Sequence, residues 1–255
     1  MNKLVVSSNM LNEVDQLPSW LENMRHIADG GILIVDGGST DSSIEYLAKM
    51  GADFYFSDYI RSDAYQESVS LTRESNSDLV VILDNIIQRE GYGTARNHLR
   101  ERSKFHFPDA HWMMYLDADE RIMEKDYHTL RFLKDCLIPA YDVIALPRID
   151  WIDDEMTTMA KDVYSQPDYQ ARMTRLDSPL QYVRRLHEQV TNYSHMHADI
   201  ENPKINHFHR TAGQKKRDYV GKLCAYLHQK DEYGDTYPEH HKEAYYRELL
   251  EKEGL

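Results

Sequence analysis

The stretch Trp112-Met113-Met114-Tyr115-Leu116-Asp117-Ala118-Asp119-Glu120 carries an apolar, aromatic-rich run directly into three acids within four residues. An apolar run of that length suits a central strand covered on both faces. Carboxylates this close repel one another unless something positive sits among them. A divalent cation with phosphate oxygens on its far side meets that need. In open α/β sheets, ligands collect at the carboxyl ends of strands, where this cluster falls. A solvated acidic turn would give the same local pattern, so the neighbouring segments decide.

Upstream, Leu4-Val5-Val6 reads as a first strand ending in Ser7-Ser8-Asn9. Leu17, Trp20, Leu21, Met24 and Ile27 then recur at helical spacing, with Asp15 as a cap and Pro18 in the first turn. Ile32-Leu33-Ile34-Val35 is a second strand, ending in Asp36-Gly37-Gly38-Ser39-Thr40-Asp41. Two glycines there permit a sharp turn or a close approach to a ligand, and Ser39, Thr40 or Asp41 can cap the helix that follows. Strand, loop and helix repeated in this way predict parallel strands. Asp53-Phe54-Tyr55-Phe56 and Leu79 to Leu83 read as further strands. Gly91 to Leu99 enters a helix whose first-turn amides, with Arg96, favour an anion.

Downstream, Leu130, Phe132, Leu133 and Leu137 suggest a helix, and Asp142 to Leu146 a strand. Trp151 to Asp168 reads as a charged, mobile loop. Tyr169 to Leu176 and Gln181 to Val183 are strands around the turn Asp177-Ser178-Pro179. The tail from Gln214 is helical, with Lys215, Arg217 and Lys222 in its basic first part.

With 255 residues the chain suits one large α/β domain with appendages. A net charge of −13 argues against a general grip on nucleic acid or anionic membrane, although peripheral membrane contact stays open. Cys136 and Cys224 form no metal or redox pattern, which suits free thiols in a reducing compartment. No segment reads as a signal peptide or a transmembrane span. The expectation is a soluble, cytoplasmic protein.

Several motifs stand in one order: Asn12-Glu13, Val35 to Asp41, Ala95-Arg96-Asn97, Leu116 to Glu120, Leu186-His187-Glu188 and His207. Together they resemble glycosyltransferase family 2, with its GT-A (Rossmann-like) fold, and most of all its short bacterial branch with DADE followed by HE. The resemblance implies an α/β fold with a mostly parallel central sheet flanked by helices and a C-terminal helical extension. It divides the chain into a glycosyltransferase domain at 1–210, carrying an insertion at 57–78, and an extension at 211–255.

It further implies an inverting sugar transfer from a nucleoside diphosphate sugar, UDP-sugar favoured, with Mn2+ or Mg2+. Asp36 would accept a ring N–H of the base, with Ser8 lining the same pocket. Arg96 would face the diphosphate, where a planar fork suits paired oxygens; a surface ion pair with Glu90 or Glu101 is the plainer alternative. Asp117 would touch ribose or a metal-bound water. Asp119 would bind the metal with His207, and His209 is the alternative ligand. Glu188 would be the base, with Asp154 as its rival and an ion pair with Arg184 or Arg185 as its plain reading. Lys215, Arg217 and Lys222 would close over the diphosphate, with a solvated helix face as the plainer alternative. The acceptor stays open among glycan, lipid-linked, peptide and modified DNA-base hydroxyls. A nucleotidyltransferase would need a basic glycine-rich loop where Asn9 to Glu13 stands. A binding module without turnover has no need of Asp117, Asp119 and Glu188.

Overall fold

Strand β1 (Lys3–Met10) is buried continuously from Leu4 to Ser8. It lies between two parallel partners, β2 (Gly31–Asp36) and, after β3 (Asp53–Phe56) and β4 (Leu79–Leu83), β5 (Ala110–Tyr115). Their apolar residues are unbroken because helices cover both faces. The structure is a computed structural model that describes residues 1–56, 77–137, 140–160 and 167–208. Most of the 57–78 insertion, the 211–255 extension, His209, Lys215, Arg217 and Lys222 lie outside the described residues.

The chain continues through β6 (Glu120–Ile122), β7 (Val143–Asp150), β8 (Asp168–Arg175), β9 (Gln181–Val183), β10 (Gln189–Thr191), β11 (Met196–His197) and β12 (Ile205–His207). The main sheet runs β3-β4-β2-β1-β5-β8-β7-β12-β6, with β11 beside β7. Pairing is parallel from β3 to β5 and turns antiparallel where β8 enters. The mostly parallel α/β sheet expected from the sequence is the one found. Strands β9 and β10 form a separate antiparallel pair.

Alternate strand residues serve opposite faces, as a period of two demands. Leu4, Val6, Ile34, Trp112 and Met114 share one core with α1 (Leu17–Ile27), α2 (Ser43–Lys49) and α5 (Tyr127–Cys136). Val5, Leu33, Val35, Met113 and Tyr115 share the other with α3 (Ile86–Glu90) and α4 (Tyr92–His106). Each such buried aliphatic stabilises by about 1.5–3 kcal/mol. The α1 stripe is buried as its spacing predicts, but among the described residues no side chain caps the helix: Gln16 rather than Asp15 precedes it, and the Glu13 carbonyl accepts from Gln16 and Leu17. Phe132 does not join the core; its helix turns it to solvent. Strand β7 runs past the expected Leu146 to Asp150, held by β8 and β12 on its two sides. Among the described residues no helix is long and apolar enough to cross a membrane.

Candidate active site

The carboxyl ends of β1, β2, β4 and β5 open onto a cavity of about 510 Å³, a size suited to a small-molecule ligand. The acid run after β5 divides in two there. Asp117 and Asp119 line the cavity, whereas Glu120 starts β6 and is wholly buried. Its counter-charge is Arg172, from the middle of β8: Nη2 lies 2.7 Å from Glu120 Oε1 and 3.5 Å from Asp117 Oδ2. Glu120 Oε2 also accepts the Asp117 amide at 2.9 Å, and the Tyr115 hydroxyl donates to Asp117 Oδ1 at 2.6 Å.

Burial works against charge on all of these groups. For Arg172 the Glu120 and Asp117 carboxylates outweigh it, so the guanidinium titrates above its ordinary range. Burial pushes Glu120 up despite Arg172. For Asp117, burial raises and Arg172 lowers, and the net shift is downward. Part of the positive charge the acids require is therefore supplied by the protein. Sequence reading overlooked Arg172. The signal was a charged residue inside Ala171-Arg172-Met173, where the flanking strand pattern is apolar.

His207 stands between two carboxylates. Its Nε2 is 3.6 Å from Asp119 Oδ1, and its Nδ1 is hydrogen-bonded to Asp150 Oδ1. Register explains the meeting: β12 sets His207 beside Asp150 of β7 and opposite Glu120 of β6. The Phe208 amide then donates to the Asp119 carbonyl at 2.9 Å. Burial lowers the His207 pKa, but Asp119 and Asp150 more than reverse this and raise it to about 10.

Among the described residues no three His, Cys, Asp or Glu side chains converge to hold a metal by themselves. Asp119 and His207 nevertheless fit a divalent cation as two donors on one rim. Hard cations that also bind phosphates commonly take only one or two carboxylates, with water and substrate oxygens completing the set. Asp150 on Nδ1 would fix the ring so that Nε2 faces the ion, as second carboxylates do for metal-bound histidines.

Arg96 and Glu188 meet on the same cavity. Gly91, with φ +85°, ends α3 and starts α4, and Gly93 follows in the first turn. A Cβ on Gly93 would lie 2.3 Å from the Arg184 carbonyl oxygen, and one on Gly91 would lie 2.6 Å from Arg185 Cα. Two bare positions therefore admit the 184–188 loop directly onto the helix. The Tyr92 amide donates to the Arg185 carbonyl at 2.8 Å and the Gly93 amide to Arg184 at 3.1 Å. These amides, expected to favour an anion, are taken by the loop.

The loop turns through positive φ at Arg184 (74°) and His187 (51°) and delivers Glu188 into an ion pair with Arg96. Neither Glu90 nor Glu101 is the partner of Arg96, and neither Arg184 nor Arg185 that of Glu188. The Arg96 guanidinium also lies over the Tyr115 ring, 3.9 Å from its centroid.

The remaining expected residues are placed differently. Asp36 is fully buried and faces its own turn: Oδ1 accepts from the Gly38 amide at 2.9 Å and the Ser39 amide at 2.8 Å, and Oδ2 from the Ser39 hydroxyl. Burial outweighs these bonds and raises its pKa. Gly37, not Asp36, reaches the cavity wall. Ser8 is sealed within β1, and Asn9 lines the cavity in its place, with neither amide atom partnered among the described residues. Asp154 is exposed on the 151–160 loop and does not line the cavity; its neighbour Asp153 shapes that loop by accepting from the Thr157 and Thr158 amides.

Asp84, buried at the end of β4 and bonded to Arg89 at 2.9 Å, is a wall residue that sequence reading missed. The missed signal was the same strand-then-acid pattern as Val35-Asp36.

No family model matches the sequence, and no curated protein does. Among solved structures the chain is similar to two of S. aureus TarS. One is 14% identical with a TM-score of 0.49, over 97% of this chain and 43% of that chain. The other, of TarS 1-349, is 15% identical with a TM-score of 0.47, over 97% and 70%. A third is glucosyl-3-phosphoglycerate synthase from Mycobacterium tuberculosis in complex with Mn2+, uridine diphosphate and glucosyl-3-phosphoglycerate, 14% identical with a TM-score of 0.34, over 59% of this chain and 44% of that one. The chain thus spans less than half the length of the first TarS structure.

Proposed function

We propose that the chain is an inverting, metal-dependent glycosyltransferase that moves a sugar from a nucleoside diphosphate sugar, UDP-sugar favoured, to an acceptor hydroxyl. One observation carries this reading: a single cavity at the strand ends is lined by Asp117, Asp119, His207, Arg96 and Glu188. An anion-pairing fork, two candidate cation donors and a separate carboxylate base are the groups such a transfer needs. The ordered motifs that resemble family 2 support the same reading.

In this mechanism Asp119 and His207 would hold Mn2+ or Mg2+, which when bound would supply positive charge to offset that of the leaving diphosphate. Arg96 orients the diphosphate by its fork. Glu188 takes the proton of the acceptor hydroxyl as that oxygen forms its bond to the sugar C1. The bond from C1 to the phosphate oxygen breaks on the opposite face, and the electron pair leaves with the nucleoside diphosphate. Arg172 and Tyr115 keep Asp117 ionised and oriented toward the cavity.

The test is release of nucleoside diphosphate from UDP-, GDP- and dTDP-sugars with Mn2+ present. Consumption of at least one donor, lost on chelation, is expected. Neither binding nor consumption of any donor, with or without metal, would overturn the reading.

A further inference from the structure

The guanidinium of Arg96 already has a carboxylate partner in the free chain, and that partner is the candidate base. Both side chains are largely enclosed, 8% and 12% exposed for Arg96 and Glu188. Arg96 is also fixed from beneath. Its guanidinium lies 3.9 Å from the Tyr115 ring centroid and 5.5 Å from that of Tyr182. The Tyr115 hydroxyl is in turn tied to Asp117. Glu188 sits on a loop that two backbone bonds fasten to the first turn of α4, the helix carrying Arg96. These contacts hold the two side chains against each other at the cavity wall, so an anion arriving at Arg96 meets a guanidinium already engaged by Glu188.

Resting on the glycosyltransferase reading above, we propose that Arg96 is a positioning residue for which Glu188 and the donor diphosphate compete, so that a seated donor loosens the hold on the base. Binding free energies are reciprocal. Whatever factor Glu188 takes from nucleotide affinity, the nucleotide takes from the Arg96–Glu188 pair. The base thus becomes open to an acceptor hydroxyl once the donor is in place. The free site keeps its carboxylate engaged.

The test is calorimetric binding of UDP with Mn2+ to the parent, E188Q, R96Q and R96Q/E188Q. E188Q is expected to bind about 5- to 20-fold more tightly than the parent, a factor typical of coupled sites. R96Q is expected to bind more weakly, and the double variant to match R96Q. Simple relief of repulsion between Glu188 and the diphosphate would give the same gain in the R96Q background. That result, or no gain in E188Q, overturns the proposal. R96K keeps the charge without the fork, and in its background E188Q is expected to keep part of the gain; it carries the comparison if R96Q does not fold. A parent that binds none of UDP, GDP and dTDP defeats the glycosyltransferase reading itself. A parent that binds UDP while E188Q gains nothing defeats only the competition for Arg96.

Discussion

Arg172 and Glu120 form an ion pair at 2.7 Å in which neither side chain is more than 1% exposed. It lies directly beneath Asp117, so it sets both the stability of the strand end and the charge of the cavity floor. Removing one partner leaves the other charge buried with only a more distant counter-charge, Arg148 at 3.7 Å for Glu120 and Asp117 at 3.5 Å for Arg172. Glu120→Ala or Arg172→Met is expected to cost about 3–5 kcal/mol, read as a lowered urea midpoint. Replacing both with Met should cost less than the two single changes summed, because no buried charge is left short of its nearest partner. Single variants with parental midpoints would show that the pair contributes little.

Asp119 and Asp150 flank His207 but would serve it differently. Asp119→Asn removes a candidate cation donor, so Mn2+ should no longer tighten UDP binding. Asp150→Asn leaves both donors in place and disturbs only the ring's support. A loss of about 10- to 100-fold in Mn2+ affinity is typical of such supporting carboxylates. Titrating Mn2+ against each variant at fixed UDP separates the two. Equal losses in both would mean that Asp150 is itself a ligand or that neither residue meets the ion.

The same histidine makes metal-free stability depend on pH. Its pKa is about 10 in the folded chain, against about 6.5 for an unperturbed imidazole. A raised pKa means that the folded state favours the proton. The imidazolium's contribution is complete below about pH 6.5 and is lost as pH climbs toward 10. With chelator present, the parent should melt above His207→Gln at pH 6.5, and the gap should narrow steadily toward pH 9.5. A gap that stays constant or widens would show that the Asp119–His207–Asp150 contact is not an ionic clamp.

The layered sheet could be read from the sequence because its signals are local. Val35 or Met114 needs only its own run of neighbours to mark a strand buried on both faces. The α1 stripe needs only its spacing. The cavity floor is different, since its contacts join residues far apart along the chain. Arg172 reads as an ordinary strand charge until β8 is known to lie beside β5, and its partner Glu120 is 52 residues away. Asp150 gains meaning only from the β7–β12 register that sets it beside His207. Asp36 looks like an open strand-end acid, and its inward orientation follows from the amides and hydroxyl of its own turn.

Gly93 ties that long-range geometry to a change of one methyl group. It carries an ordinary helical position, so Ala would suit the helix itself and even favour it. The obstacle is the Arg184 carbonyl oxygen, 2.3 Å from where the Cβ would stand. Backbone cannot yield there as the end of a long side chain could, so the 184–188 loop must lift and take Glu188 with it. A displacement near 1 Å at a reacting group can lower a rate by about 10²-fold. Gly93→Ala should therefore melt within a few degrees of the parent, keep Mn2+-dependent UDP binding, and transfer sugar far more slowly. Its proton-exchange map should show the Tyr92 and residue-93 amides losing protection, because their acceptors are the Arg185 and Arg184 carbonyls. Parental transfer alongside lost protection would separate the loop from catalysis and move the search for the base away from Glu188.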